Sequence, residues 1–227
     1  MTTLPNEKLT PLLLEITTGI LLGDGNLQNP GKCKHSRLRF AQNIKRCDYA
    51  SHLFNQYKTQ NTQLCFISKP LIKPYGLKTY DYLTLKHKKN STSIGFQTRV
   101  SSAFDMHESI FYSLDQSKKT LTKNLNVFDS LLTPTALAYW YMDDGTCSVK
   151  NCCHLILCTH GYKYHEVKYF SNLLNQKFDL LTNVRLNKKQ PIIAISAKSF
   201  PLLEDLIGPI ILNFPSMRSK WPSKKWH

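Results

Sequence analysis

The chain has 227 residues, enough to bury a core as one large domain or as two closely packed halves. Its 30 Lys and Arg against 15 Asp and Glu leave a net charge of +15 and a pI near 9.5. That balance points to a polyanionic partner held through release of phosphate counterions, with ribosomal or membrane-surface association as the competing reading. A membrane span is excluded for the apolar run at residues 12–22, which is too short and carries Glu15, and no signal-peptide pattern precedes it.

Seven cysteines, at positions 33, 47, 65, 147, 152, 153 and 158, form no C-x-x-C pair. Their odd number and scatter read as reduced, mostly buried thiols of an intracellular compartment. Cys33 with His35, or Cys158 with His160, would be the zinc alternative.

In chain order, residues 1–9 are a polar lead-in. Thr10-Pro11 then opens an apolar helix over about 10–24, LLLEITTGILLGDG, that ends on Asp24 and Gly25. Leu12, Ile16, Gly19, Ile20 and Gly23 recur at helical spacing and put Gly19 and Gly23 on one face. Small residues there let two helix backbones approach closely, though an ordinary buried helix would account for them too.

A loop with Asn29, Pro30 and Gly31 leads to the alternating run 37–42. Leu38 and Phe40 face inward, and Arg37 and Arg39 face outward, where paired arginines suit guanine edges or phosphates. Residues 46–58 carry helical periodicity through Tyr49, Ala50, Leu53, Phe54 and Tyr57, an outer packing helix with no catalytic part. A strand over about 79–87 alternates, with Lys78, Tyr80, Tyr82, Thr84 and Lys86 on a basic, aromatic face. The loop 86–93 is either a hairpin tip reaching phosphates or a solvated surface loop. A strand at 94–100, a helix at 103–114 and a basic connection at 117–131 follow.

Residues 132–145, LTPTALAYWYMDDG, form a second apolar helix. Thr133 serves as N-cap, Pro134 stands in the first turn, and Asp143 and Asp144 fall in the last turn. Carboxylates are unfavourable at a helix C-terminus, so a positive group is expected to be bound there. Beyond it the pattern predicts a hairpin over 147–159 with Leu155 and Leu157 inward, and a helix over 164–178 through Val167, Phe170, Leu173 and Leu174. An alternating stretch at 183–187, a strand at 191–196 and a helix capped by Ser199 and running to about Ile207 complete the order.

Asp24 and Asp144 lie 120 residues apart, about the length of one compact domain, and each ends a helix opened by Thr-Pro. Leu53-Phe54-Asn55-Gln56 and Leu173-Leu174-Asn175-Gln176 stand at equal offsets from these aspartates. The repetition indicates a duplicated unit. Read singly, either Asp-Gly could equally be a simple turn after a helix.

Aligned on the acidic residue, residues 17–25 (TTGILLGDG) and 137–145 (LAYWYMDDG) resemble the two motifs of a single-chain LAGLIDADG homing endonuclease, and the stretch around the second resembles the omega-intron endonuclease subfamily. The first copy keeps the glycine at Gly19 and the second its opening Leu-Ala, while the sixth-position Asp is replaced by Leu22 and Met142. The resemblance implies an α+β fold of pseudo-twofold duplicated αββαββα units, with the two motif helices at the interface and two antiparallel four-stranded sheets forming a DNA-binding saddle. Its halves would be 1–116 and 133–227, joined by a basic linker at 117–132.

The implied activity is a metal-dependent double-strand break in a long DNA site, for intron homing. Asp24 and Asp144 would hold Mg²⁺, for which Mn²⁺ substitutes, with help at the metal from Gly23 and Asp143. By their position relative to the motifs, Lys119 and Lys220 are the implied catalytic lysines, with ordinary phosphate anchoring as their plainer role. Arg37, Arg39, Lys78, Tyr80, Tyr82, Lys86, Arg185, Asn187 and Lys189 are the candidate DNA contacts. The resemblance also implies a monomer acting on double-stranded DNA without membrane contact, and encoded in a chloroplast or mitochondrion, where the absent transit peptide is not needed. An intron RNA-binding maturase and a non-catalytic DNA-binding regulator of the same fold are the alternatives.

Overall fold

The computed structural model describes residues 8–31, 33–60, 93–112, 120–122, 124–148 and 154–222. The chain divides into two compact units, with the division between Thr122 and Lys123. Each combines helices with one antiparallel sheet, so the fold is α+β.

In the first unit Thr10 caps helix α1 (Pro11–Leu22), its Oγ1 accepting from the N–H of Leu13 at 3.3 Å, and Pro11 occupies a first-turn position that needs no donor. The helix ends two residues before the expected Asp24. The Gly25 N–H reaches back five residues to the Ile20 carbonyl at 2.7 Å, and that tight wrap lifts Asp24 out of the helix into an exposed turn. A Cβ on Gly25 would lie 2.8 Å from the same carbonyl oxygen, so the motif glycine is required by close approach.

Strands β1 (Asn26–Gln28) and β2 (Arg37–Asn43) follow, then helix α2 (Cys47–Gln60), strand β3 (Ser93–Gln97) and helix α3 (Asp105–Phe111). The sheet runs β1-β2-β3, all antiparallel. Period-two alternation turns Leu38 and Phe40 of β2 inward, as expected. Phe40 meets Tyr49 of α2 edge-on at 5.6 Å and Phe96 meets Phe54 at 6.0 Å, which fixes α2 across the sheet. Tyr57 Oη lies 2.7 Å from Thr17 Oγ1 and ties α2 to α1. The strand expected at 94–100 stops at Gln97, and the helix expected at 103–114 covers only Asp105–Phe111. The expected strand at 79–87 and loop at 86–93 lie outside the described residues.

His107 of α3 is fully buried, with Nε2 3.1 Å from Thr18 Oγ1 and Nδ1 without a hydrogen-bond partner. Burial holds its pKa down to about 4 from the ordinary 6.5, so the ring is neutral in the fold. The unfolded chain takes up this proton near 6.5 and the folded chain only near 4. The stability His107 contributes is therefore complete above pH 6.5 and is lost as pH falls towards 4, a change of about 3 kcal/mol. Urea midpoints at pH 7 and pH 4.5 should show the loss, and His107→Gln should show a smaller one over the same interval.

In the second unit, helix α4 (Phe128–Leu131) precedes helix α5 (Pro134–Asp144). Thr133 Oγ1 accepts from Ala136 N–H at 3.2 Å, the same Thr-Pro device that opens α1. Every residue from Ala136 to Asp143 is buried. Strands β4 (Gly145–Ser148) and β5 (His154–Leu157), helix α6 (Tyr164–Phe178), strands β6 (Thr182–Asn187) and β7 (Gln190–Ile195) and helix α7 (Phe200–Ile211) complete the unit. Its sheet runs β4-β5-β7-β6, antiparallel throughout. Phe170 of α6 packs against Phe128 at 5.0 Å and Trp140 at 5.2 Å, joining α4, α5 and α6 in one aromatic core.

Two expectations are corrected here. Ser199 does stand at the N-cap position of α7, but its Oγ makes no capping bond and accepts instead from the Leu181 N–H at 2.7 Å, and α7 runs on to Ile211. The described cysteines are not mostly buried: Cys33 and Cys47 are exposed, and Cys147 and Cys158 are partly exposed. All four are free thiols. Among the described residues no helix is long and apolar enough to cross a membrane.

The β6–β7 hairpin turns on Lys188 and Lys189, both left-handed, with φ of 49° and 65°. A two-residue turn of this hand favours Asn-Gly, and the exposed lysines bear the conformational cost. Lys188→Asn with Lys189→Gly should raise unfolding stability by about 1 kcal/mol, measured by urea titration.

Candidate active sites and nucleic-acid interface

In the first unit the carboxylate of Asp24 sits just past α1, held from the sheet. Gln42, at the end of β2, donates from Nε2 to Asp24 Oδ2, and Gln42 Oε1 accepts from Arg46 Nη1 at 2.9 Å. The glutamine therefore has one orientation, and it passes the field of the guanidinium towards the carboxylate. Neither Gln42 nor Arg46 figures among the sequence-derived candidates. The signal was present: in the inward series Leu38, Phe40, Gln42, the third member is polar and buried to 7% exposure. A polar group at a core position beside a motif carboxylate calls for a partner. Arg46, assigned to an outer helix without a catalytic part, lies in a short 3-10 turn (Ile44–Arg46) before α2.

In the second unit Asp143 and Asp144 do close α5, Asp143 buried and Asp144 partly exposed. The expected positive group at this helix end is Lys220. It is exposed by only 9%, and its Nζ donates to the Met142 carbonyl at 2.7 Å and to the Asp143 carbonyl. These are orphan carbonyls of the last turn, and an ammonium on them offsets the helix dipole that the two carboxylates oppose. Tyr141 Oη donates back to the Lys220 carbonyl at 3.0 Å, and Trp221 packs edge-on against Tyr141 at 5.5 Å. The segment Pro215–Lys220 is thereby clamped to α5.

Cys158 N–H donates to the Asp144 carbonyl at 2.9 Å. Burial and then the Asp144 carboxylate push its thiol pKa up, with Lys220 pulling the other way. The next residue, Thr159, gives its hydroxyl to the Pro191 carbonyl at 2.8 Å. The second site thus rests on Lys220 where the first rests on Gln42 and Arg46.

The outward faces of both sheets carry the expected polar residues. Arg37 and Arg39 lie on that face of β2, partly exposed, while Arg185 and Asn187 are exposed on β6 and Lys189 stands at the hairpin tip. Lys78, Tyr80, Tyr82, Lys86 and Lys119 lie outside the described residues.

Among the described residues no group of three or more His, Cys, Asp and Glu could hold a metal. The motif carboxylates are oxygen donors, a chemistry that fits a hard divalent cation which keeps several of its waters and is completed by substrate phosphate.

The model of the LAGLIDADG DNA endonuclease family matches residues 14–203, which include both motif aspartates and both sheets. The chain belongs to the LAGLIDADG DNA endonuclease family. It is 30% identical over 213 residues to the probable intron-encoded endonuclease 1 of Wickerhamomyces canadensis, covering 91% of this chain and 82% of that one. To the cytochrome b mRNA maturase bI2 of Saccharomyces cerevisiae it is also 30% identical, over 224 residues and 95% of this chain. It spans about half of that maturase, 49% of its length. The LAGLIDADG fold recurs in the homing endonuclease I-WcaI bound to its DNA recognition sequence, with TM-score 0.73 and 29% identity over 95% of this chain and 88% of that one. I-DmoI in complex with DNA and Mn shares the fold at TM-score 0.52 and 12% identity, over 86% and 96% of the two chains.

Proposed function

We propose that this LAGLIDADG protein is a site-specific, intron-encoded DNA endonuclease that cuts both strands of a long recognition site in the presence of Mg²⁺, with Mn²⁺ as a substitute. The observation that carries it is the pair of motif carboxylates, Asp24 and Asp144, one at the end of each Thr-Pro helix in a chain of net charge +15. When bound, the metal would neutralise the scissile phosphate and lower the pKa of an attacking water. Asp24 and Asp144 would hold it, aided in the first unit by the backbone oxygen at Gly23; in the second unit the Asp143 carbonyl, expected in that part, accepts from Lys220 Nζ instead. In the first unit Gln42 fixes the carboxylate against rotation, and Arg46 fixes Gln42. In the second, Lys220 supplies positive charge beneath the carboxylates, and we assign Lys119 the matching part in the first. Arg37, Arg39, Arg185, Asn187 and Lys189, with Lys78, Tyr80, Tyr82 and Lys86, are the proposed DNA contacts.

The functional halves are 1–116 and 133–227, joined by a basic stretch at 117–132. With both motifs in one chain the protein acts as a monomer, and sedimentation of an obligate dimer at micromolar concentration would contradict this. The names of the relatives support an organelle genome as its source. Likeness to the cytochrome b mRNA maturase over nearly the whole chain favours a second reading, binding of intron RNA, which a filter-binding assay on the host intron would test. The nuclease reading is tested by incubating the protein with intronless and intron-containing host DNA, with and without Mg²⁺. A cut in the intronless allele alone, and only with metal, is expected. Intact DNA throughout would leave the maturase reading.

A further inference from the structure

Three residues before the motif aspartate, the two motif helices make different demands. Leu21 of α1 and Tyr141 of α5 occupy that matched place, and both are fully buried. Leucine fills such a site with no polar group to satisfy, whereas a buried phenol needs a partner for its hydroxyl. The Tyr141 hydroxyl finds its acceptor outside the helix, in the Lys220 carbonyl at 3.0 Å. The same lysine sends its ammonium back to the carbonyls of Met142, at 2.7 Å, and Asp143. Three consecutive residues of α5 thus hold both ends of Lys220: one side chain holds its main chain, and two main-chain oxygens take its Nζ. The phenol ring is itself fixed. Trp221 meets it edge-on at 5.5 Å, and a Cβ on Gly145 would lie 2.6 Å from its Cγ, so the ring lies against the motif glycine that follows Asp144. After the larger effect of burial, the Asp144 carboxylate raises and Lys220 lowers the pKa of the Cys158 thiol, which sets both charges around one point.

We infer that Tyr141 is a positioning residue of the second catalytic centre: its hydroxyl fixes the root of Lys220, and so the place of the ammonium at the end of α5, a device that the first centre, with Leu21, does not have. The inference rests on the nuclease reading above and on the part given there to Lys220. The hydroxyl is spent on a buried carbonyl, so it acts through the lysine and not on the reacting atoms. A lysine stem has many rotamers, and an ammonium held at one end alone samples more positions than one whose root is fixed as well. Removing the hydroxyl takes a donor from a buried carbonyl. The segment Pro215–Lys220 then relaxes towards another donor and carries the ammonium with it. A misplacement of about 1 Å at a catalytic group costs up to about 100-fold in rate.

The test follows the two DNA strands separately. A target duplex labelled differently on each strand is cut at saturating protein by the full chain, Tyr141→Phe, Lys220→Met and the double variant, each well below its own Tm. Phenylalanine keeps the ring, its contact with Trp221 and its seat against Gly145, so the hydroxyl alone is lost. In Tyr141→Phe one strand should be cut roughly 10- to 100-fold more slowly and the other at the wild-type rate, so that nicked duplex accumulates. Affinity for the duplex without metal should not change, because phosphate contacts supply it. The double variant should cut no more slowly than Lys220→Met, since the hydroxyl acts through that lysine. A bond that only docks the segment would lower the Tm of Tyr141→Phe and leave both strands at the wild-type rate, which overturns the inference. Equal slowing of both strands overturns it too, because the first centre has no such hydroxyl to lose. So does a further loss in the double variant, or full activity in Lys220→Met. Failure of the nuclease reading looks different: the wild type itself then cuts neither strand with metal present, and the inference falls with it.

Discussion

Asp24→Asn and Asp144→Asn should each abolish double-strand cleavage, with the rate falling on the order of 10³-fold or more. Either change would remove a carboxylate from the proposed metal site, whose ion would supply several kcal/mol of transition-state charge stabilisation. Asparagine nearly keeps the side-chain volume, and in the first unit its amide oxygen can still accept from Gln42 Nε2, so the loss is one of charge and not of shape. DNA binding without added metal should survive in both variants, because phosphate contacts by Lys and Arg supply most of the affinity. Asp143→Asn is the internal control and should be milder, since Asp144 holds the essential motif position. A gel assay on supercoiled and linear target, beside filter binding at fixed salt, measures all three. Cleavage at the wild-type rate in Asp144→Asn, or inactivity in Asp143→Asn alone, would move the site by one residue.

On charge alone, removing a carboxylate from a helix C-terminus should also raise stability. The structure alters that expectation at both sites, for different reasons. Asp24 lies outside α1, in the turn that Gly25 closes on Ile20, so it meets little of the last-turn field. Asp144 does lie in the last turn of α5, but the Lys220 ammonium already occupies the adjacent carbonyls. Neither substitution is therefore expected to shift the unfolding midpoint appreciably.

The helices and strands with strong periodicity were legible from the chain. The helix expected at 164–178 is α6 to the residue, and the inward turn of Leu38, Phe40, Leu155 and Leu157 follows from alternation. Helix ends were less so, because they depend on contacts made by other segments. The five-residue wrap at Gly25 shortens α1, and the N–H of Leu181, just before β6, donates to the hydroxyl of Ser199. Within the sites, the aspartates announce themselves by motif, whereas Gln42 and Arg46 act through side-chain bonds that span 18 and 4 residues. Lys220 reaches its carbonyls across 78 and 77 residues. A demand for positive charge at the end of α5 was readable from Asp143 and Asp144; the geometry that meets it was not.

Lys220→Met should cost the protein stability before it costs it chemistry. Methionine preserves the length and apolar stem of the side chain but leaves the carbonyls of Met142 and Asp143 without their ammonium donor in a buried setting. Hydrogen bonds to a charged group are worth about 1.5–3 kcal/mol each, and an acceptor left unpaired carries a desolvation penalty. The dipole at the end of α5 would again face two carboxylates with nothing to offset it. A loss of about 3 kcal/mol is expected, which for a chain of this size lowers Tm by roughly 6–12 °C. The bond from Tyr141 Oη to the backbone of residue 220 needs no lysine side chain, so the Pro215–Lys220 segment should stay docked and the fold intact at low temperature. Cleavage measured well below the lowered Tm then isolates any direct part of the ammonium in catalysis. Full activity there, with the Tm loss present, assigns Lys220 to the helix cap alone. An unchanged Tm would mean that the carbonyls of α5 find other donors and that the cap is dispensable.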